Sequence, residues 1–323
     1  MKKKLIIILM LLTFLPVNIF AYSNRIIVGG ETIGMEIHSK GVYVVGYYKV
    51  NNKLIAKDAG FKIGDIITKI NDNEVTSIND LNNNITEPGD YKFVVLRDNS
   101  YHTIKISLER EADLIKTGLF IKDQVNGIGT LSYIDPKTKV FGSLGHEIIE
   151  SNSSNRFLLD NGNIYKAEVK NINKSNDGVA GSKNAVIDKE DVLGEINSNE
   201  INGIYGKYKD NIDNIETMEI ATKEEITQGE AVIRTVLEGN KPEDFTINII
   251  LIEDNPTKNI LFEITDQRLL SKAGGIVQGM SGSPIIQNNK IIGVVNYVIV
   301  NDVNKGYGIF ITTMLEEGDK TIS

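Results

Sequence analysis

The segment of this chain best equipped for chemistry is Gly279-Met280-Ser281-Gly282-Ser283-Pro284. A serine between glycines can serve as a nucleophile if its own N–H and that of Gly279 point to one spot. That pair would form an oxyanion hole worth roughly 3 to 4 kcal/mol per donor. Gly279 permits the sharp turn this requires, Gly282 leaves room for substrate beside the hydroxyl, and Pro284 opens the next strand where no ladder donor is needed. The competing reading is a plain Gly-Ser turn, but the strand-turn-strand text that follows (IIQ, Asn288-Asn289-Lys290, IIGVVNYVIV) favours a catalytic one. Ser283 is the weaker nucleophile, since it lacks a glycine two residues before it and abuts Pro284. Serine needs a base to be activated at neutral pH. Of three histidines, His146, at the end of VFGSLGH, is the candidate base, while His38 and His102 belong to another region and read as surface residues.

These residues need a folded scaffold, and the composition supplies one. The 323 residues are 41% hydrophobic and 24% charged, enough for about two domains. With no cysteine, thiol catalysis, disulfides and Cys-based zinc sites are excluded. Scattered histidines argue against any other metal site, and no cofactor is expected. The net charge of −8 gives no support to a nucleic-acid partner.

Lys2, Lys3 and Lys4 precede an apolar run from Leu5 to Ala21 broken by Pro16, so residues 1–22 read as a signal peptide in preference to a membrane anchor. Either way the rest lies outside the cytoplasm. Removing the three lysines leaves 32 basic against 43 acidic groups, a mature charge of −11, so contact with a membrane is expected only through the N-terminal segment. Two regions follow. Residues 25–110 read as a small β-rich domain with short helices. Residues 119–318 carry many short apolar runs between Gly, Asn and Asp turns, as in a barrel or sandwich, with residues 171–215 read as long loops over short strands.

The first region resembles a PDZ domain, on the strength of Ala59-Gly60-Phe61-Lys62-Ile63-Gly64-Asp65-Ile66-Ile67, then Ile70-Asn71 and a helix beginning over Thr76 to Leu81. PDZ domains take up an extended peptide as an added strand and catch its C-terminal carboxylate on loop amides. The resemblance places that loop near Ile33, Gly34 and Met35, with a C-terminal tail, the chain's own included, as ligand. The GMSGSP segment resembles the nucleophile region of chymotrypsin-like serine peptidases, which implies a mainly β fold: a PDZ domain followed by a double β-barrel.

Nearly the whole chain resembles the SpoIVB family of sporulation serine peptidases. The stretches that carry it are GIGTLSYIDPKTKVFGSLGH, GEINSNEINGIYGKY, EITD, GGIVQGMSGSPIIQNNKIIGVV and VNDVNKGYGIFI. The resemblance implies a triad of His146, Asp266 and Ser281, with an oxyanion hole from Gly279 and Ser281. Asp266 owes its place to the resemblance, because residue reading leaves Asp135, Asp160, Asp188 and Asp302 equally open. Asn296-Tyr297 departs from the Thr-His pair of the family, which bears on substrate preference. The resemblance further implies an exported endopeptidase acting in the space between forespore and mother cell. It would cleave itself and then a membrane-associated regulatory protein, leading to activation of sigma-K. The rivals are a PDZ scaffold with a dead peptidase domain, a paralogue with another sporulation target, and a quality-control protease, which usually carries its nucleophile before its PDZ domains.

Overall fold

The computed structural model describes residues 22–150 and 156–321. Apart from Tyr22, the expected signal segment lies outside the described residues. Alternating Ile and Val write strands through most of the chain. First come β1 (Arg25–Val28), β2 (Thr32–Tyr47), α1 (Ile55–Ala59), β3 (Ile66–Ile70), β4 (Asn73–Glu74), α2 (Ile78–Asn84), β5 (Gly89–Arg97) and β6 (Ser100–Leu108). Short β7 (Arg110–Glu111) and β8 (Leu114–Ile115) lead to β9 (Leu119–Ile134), β10 (Val140–Ser143), β11 (Leu159–Asn173), β12 (Ser182–Glu200), β13 (Gly203–Tyr208) and β14 (Met218–Ile220). The chain then runs through β15 (Gly229–Thr235), β16 (Glu243–Ile252), β17 (Ile260–Ile264), α3 (Gln267–Ala273), β18 (Pro284–Gln287), β19 (Lys290–Val298), β20 (Lys305–Phe310) and α4 (Ile311–Asp319).

Two antiparallel barrels close on themselves. One runs β2-β9-β10-β13-β12-β11 and back to β2. The other runs β15-β16-β17-β20-β19-β18 and back to β15. Closure removes the open edges that would otherwise invite aggregation. Ile33, Ile37, Phe141 and Ile164 fill the first barrel, and Ile233, Phe245, Phe262 and Ile285 the second. Each such side chain contributes about 1.5 to 3 kcal/mol by burial. Between the barrels, Tyr133, Tyr205, Ile309 and Met314 form a third cluster under α4. Fold class and barrel architecture therefore agree with the sequence reading.

The PDZ region is built from the second half of β2, then β3, β5 and β6, with α1 and α2, around Val42, Val44, Phe61, Ile67, Phe93 and Val95. Ser77 and Asp80 close a capping box at the start of α2. The strands cross the seam between the two regions. Residues 32–38 of β2 pair with β9 and β11 as barrel strands, and Leu119 to Lys122 of β9 pair with Tyr43 to Tyr47 in the PDZ sheet.

One expectation is corrected. Much of 171–215 is strand, because β11 and β12 form a hairpin of 15 and 19 residues. Its polar text misled because one face is solvated: Lys166, Glu168 and Lys170 are exposed and alternate with buried Ala167 and Val169.

Candidate active site

Two turns in succession shape the nucleophile segment. Met280 N–H donates to Val277 O (3.1 Å) and Ser283 N–H to Met280 O (2.9 Å). The third residues of these turns are Gly279 and Gly282, with φ of +95° and +93°, a backbone region that favours glycine. The same bonds aim the amides. Lys183 N–H donates to Gln278 O (2.9 Å), so the Gly279 N–H of that trans peptide points the other way. Ser283 likewise holds Met280 O and turns Ser281 N–H outward. Among the described residues no acceptor meets either amide. Both are free to receive a developing oxyanion.

Strand β9 clamps the segment from below. Thr130 Oγ1 donates to Gly279 O (2.7 Å), Thr130 N–H to Ser281 O (3.0 Å) and Ser132 Oγ to Gly282 O (2.8 Å). Ser283 Oγ is fully buried, 3.5 Å from Thr130 Oγ1, which removes it as a nucleophile. Ser281 Oγ lies in the wall of a cavity of about 560 Å³ and donates to Asn296 O (3.3 Å). Gly279, His146, Asn296 and Tyr297 share that wall with apolar Ile37, Ile148, Ile276 and Val298.

His146 follows Leu144 and Gly145, both at positive φ (+70° and +68°) just beyond β10. Its Nδ1 lies 2.8 Å from Glu147 O. A carbonyl can only accept, so Nδ1 carries the proton and Nε2 keeps the lone pair a base needs. The ring stacks on Tyr297 (centroids 5.6 Å apart, 25° between planes), and Lys258 lies over the same tyrosine. Desolvation holds the His146 pKa below its ordinary 6.5, and the Glu147 carbonyl and carboxylate offset part of that shift.

Asp266 is not brought to His146. It caps α3, its carboxylate accepting from Arg268 N–H (2.8 Å), Nε (3.1 Å) and Nη2 (2.8 Å) and from Thr246 N–H (3.3 Å). The Arg268 guanidinium keeps its pKa lowered. Both oxygens are spent on the second barrel, so this acid has a local structural role. The other acids are also occupied elsewhere: Asp135 by Ser23, Lys137 and Thr138, Asp160 by Asn161, Asp188 by Glu190 N–H, and Asp302 by Lys305.

The peptide-binding expectation at Ile33, Gly34 and Met35 is corrected as well. These residues sit mid-strand, paired with Gly127 to Gly129 on one edge and Ile164 to Lys166 on the other, so their amides are consumed by the ladder. Among the described residues, 119–122 of β9 pair on one side only, with β2, and α2 flanks them, Ile78 N–H donating to Asp123 Oδ2 (2.8 Å). His38 sits on β2 beside Glu36, and His102 is exposed on β6.

Sequence reading missed Lys183, Thr130 and Ser132. The Lys183 stem packs under Gly279, within 3.2 to 3.3 Å of where a Cβ would stand, and its Nζ reaches Thr32 Oγ1 (3.2 Å) and Thr235 Oγ1 (2.8 Å) in the seam between barrels. Burial without a carboxylate pushes its pKa down to about 7. The folded protein therefore pays to carry this charge. The cost is full below about pH 7 and is lost as pH rises toward the unfolded value of 10.5. Lys183→Met keeps the stem and should gain about 2 kcal/mol at pH 8. Its advantage over wild type in urea unfolding should shrink from pH 7 to pH 9, and a pH-independent difference would refute the titration.

Comparison with known proteins decides the lineage. The family model for SpoIVB peptidase S55 matches residues 113–315, and a PDZ domain model matches residues 32–108. The chain belongs to the SpoIVB peptidase S55 family. It is a serine peptidase with an N-terminal PDZ domain. No curated protein sequence matches this S55 peptidase. Among solved structures, it is similar to the Rv3671c protease in its inactive form, with 16% identity, 61% of this chain and 85% of that chain covered, and a TM-score of 0.32. It is also similar to a serine-to-alanine mutant of Rv3671c from M. tuberculosis H37Rv, again inactive, with 15% identity, 61% and 84% coverage, and a TM-score of 0.32.

Proposed function

We propose that this S55 peptidase is an exported signalling endopeptidase of sporulation, with Ser281 as nucleophile and His146 as general base. The observation that carries this reading is the convergence of the Ser281 hydroxyl, the His146 ring and two unpaired amides on one cavity. For attack, the Ser281 hydroxyl exchanges the Asn296 carbonyl for Nε2 of His146. Its oxygen then bonds to the substrate carbonyl carbon while the proton passes to Nε2, and the resulting oxyanion is received by Gly279 and Ser281 N–H. His146 returns the proton to the leaving amine, and water repeats the sequence on the acyl-enzyme.

In this reading the substrates are the chain itself and a membrane-associated regulatory protein between forespore and mother cell, with sigma-K activation downstream. Family membership supports the sporulation role. Among the described residues no helix is long and apolar enough to cross a membrane, so attachment would rest on the N-terminal segment or on the substrate. The one-sided edge of β9 beside α2 is where a C-terminal peptide would add as a strand. A fluorophosphonate probe should label the wild type and leave Ser281→Ala unlabelled. Equal labelling of both would remove Ser281 as nucleophile.

A further inference from the structure

The open edge of β9 beside α2 does not stop at the PDZ sheet. Among the described residues, β2 pairs with β9 from Leu119 to Thr130, and β10 takes up the other edge only from Leu131 onward. Both register shifts in the β2 ladder insert residues into β2, so β9 itself stays continuous. The bonds near the nucleophile show which way its groups face. Asp123 O accepts from Ser39 Oγ of β2 (3.0 Å) and Leu131 N–H donates to Glu31 O (3.0 Å), while Thr130 N–H turns the other way, to Ser281 O (3.0 Å). Alternation then points the N–H and C=O of Gln124, Asn126 and Ile128 outward with Thr130. Among the described residues no backbone group meets them. Gln124 and Asn126 are exposed, and Val125, Gly127 and Ile128 line the cavity that holds Ser281.

We propose that the PDZ groove and the catalytic cleft share this one edge. It takes the C-terminal tail of a protein substrate as an antiparallel strand, and the bond cut lies about ten residues from the tail's end. The direction follows from charge. Asp123 already sets its carboxylate on Ile78 N–H at the start of α2, so a terminal carboxylate placed there would meet like charge and find the helix end taken. The free end belongs at the other end of the edge, by Gly118 and Leu119, and the tail must then run from there toward Ser281. Strand pairing matches residues one to one, so a tail ending opposite Leu119 has about ten residues on the edge when it reaches Ile128. The residues before these enter the cleft, where the Ser281 hydroxyl and the amides of Gly279 and Ser281 converge. Side chains on the cavity side meet Met35, Ile37 and Val125, so apolar residues fit at alternate positions. Distance from a free C-terminus thus selects the bond, together with the residues around it. The inference rests on the proposed groove beside α2 and on Ser281 as nucleophile.

The test incubates the full chain with mixed-sequence peptides about 20 residues long, enough to pass the edge at roughly 3.4 Å per residue, and maps the cuts by mass spectrometry. With free C-termini, cuts about 8 to 12 residues from the end should outnumber the others roughly tenfold or more, because the anchored tail raises the local concentration of that stretch. C-terminal amidation should abolish the bias. So should Asn126→Pro, which removes an outward N–H and leaves the β2 ladder its own bonds. Cuts placed without regard to the C-terminus, or a bias that survives amidation or Asn126→Pro, would overturn the proposal. A wild type that takes the fluorophosphonate yet cuts none of the peptides would overturn it equally. If Asn126→Pro does not fold, free against amidated peptides on the wild type decides alone. Failure of the underlying readings looks different: Ser281→Ala would not bind free-ended peptides in fluorescence polarisation if the groove is elsewhere, and would label like wild type if the nucleophile is.

Discussion

Replacing His146 with alanine should lower peptide turnover by about four to six powers of ten while the protein stays folded. The ring packs on Tyr297 at the cleft wall and adds nothing to the barrel cores, so its loss removes the proton acceptor without opening a core cavity. What remains is the oxyanion pair of Gly279 and Ser281 and whatever the cleft contributes by binding. The wild-type pH profile should carry the same signature. Only neutral imidazole can accept the Ser281 proton, so kcat/KM rises with pH through the His146 pKa. Desolvation sets that pKa below 6.5, and half-maximal rate should fall on the acidic side of that value. A midpoint well above 6.5 would mean that a carboxylate reaches the ring during turnover, with Asp266 the first to re-examine. The measurement is kcat/KM from pH 4.5 to 8, with circular dichroism confirming that the fold persists.

Gly282→Ala should be almost as damaging for a different reason. A Cβ there would stand 2.2 Å from Thr130 O and 2.6 Å from Leu144 N, at a φ of +93°. Both obstacles are backbone, one on β9 and the other on the approach to His146, so neither can rotate aside. The turn must lift away from β9 and break the bonds from Thr130 and Ser132. The expected loss is at least about 3 kcal/mol of stability and about a hundredfold in turnover, since a displacement of 1 Å costs that much at a reacting centre. Gly239→Ala is the internal comparison: its φ is also positive (+70°) but nothing lies within 4 Å of the new Cβ. Backbone strain alone should cost that variant about 1 to 2 kcal/mol with turnover unchanged. Equal effects in the two variants would show that the clash at Gly282 is not what matters.

The nucleophile turn was legible because its demands are local: positive φ at two glycines and a proline at a strand start are written in six consecutive residues. The strands were legible for the same reason, through short-range alternation. What holds the segment after His146 was not. Asn199 lies 53 residues beyond that histidine and meets the Ile148 peptide through barrel closure, and one asparagine in a polar hairpin carries no mark of this in its neighbours. Asp266 misled in the opposite sense, since an acid two residues before an arginine at a helix start also satisfies an N-cap pattern, and that is the role it takes. Lys183 was hidden because lysine in a polar stretch reads as solvated. Its burial depends on two threonines from different barrels, Thr32 and Thr235.

Strand β9 carries a consequence for how the molecule can be divided. Its first residues complete the PDZ sheet, and its last ones hold the nucleophile turn. β2 makes the same passage beside it in the opposite direction. A cut anywhere between 110 and 118 would leave the N-terminal piece without a strand of its sheet and the C-terminal piece without a wall of its first barrel. The two family signatures are therefore not interchangeable cassettes. Exchanging the PDZ portion for another would require keeping β2 and the start of β9 in their present register, because a slip of one residue would turn Thr130 and Ser132 away from the turn they hold.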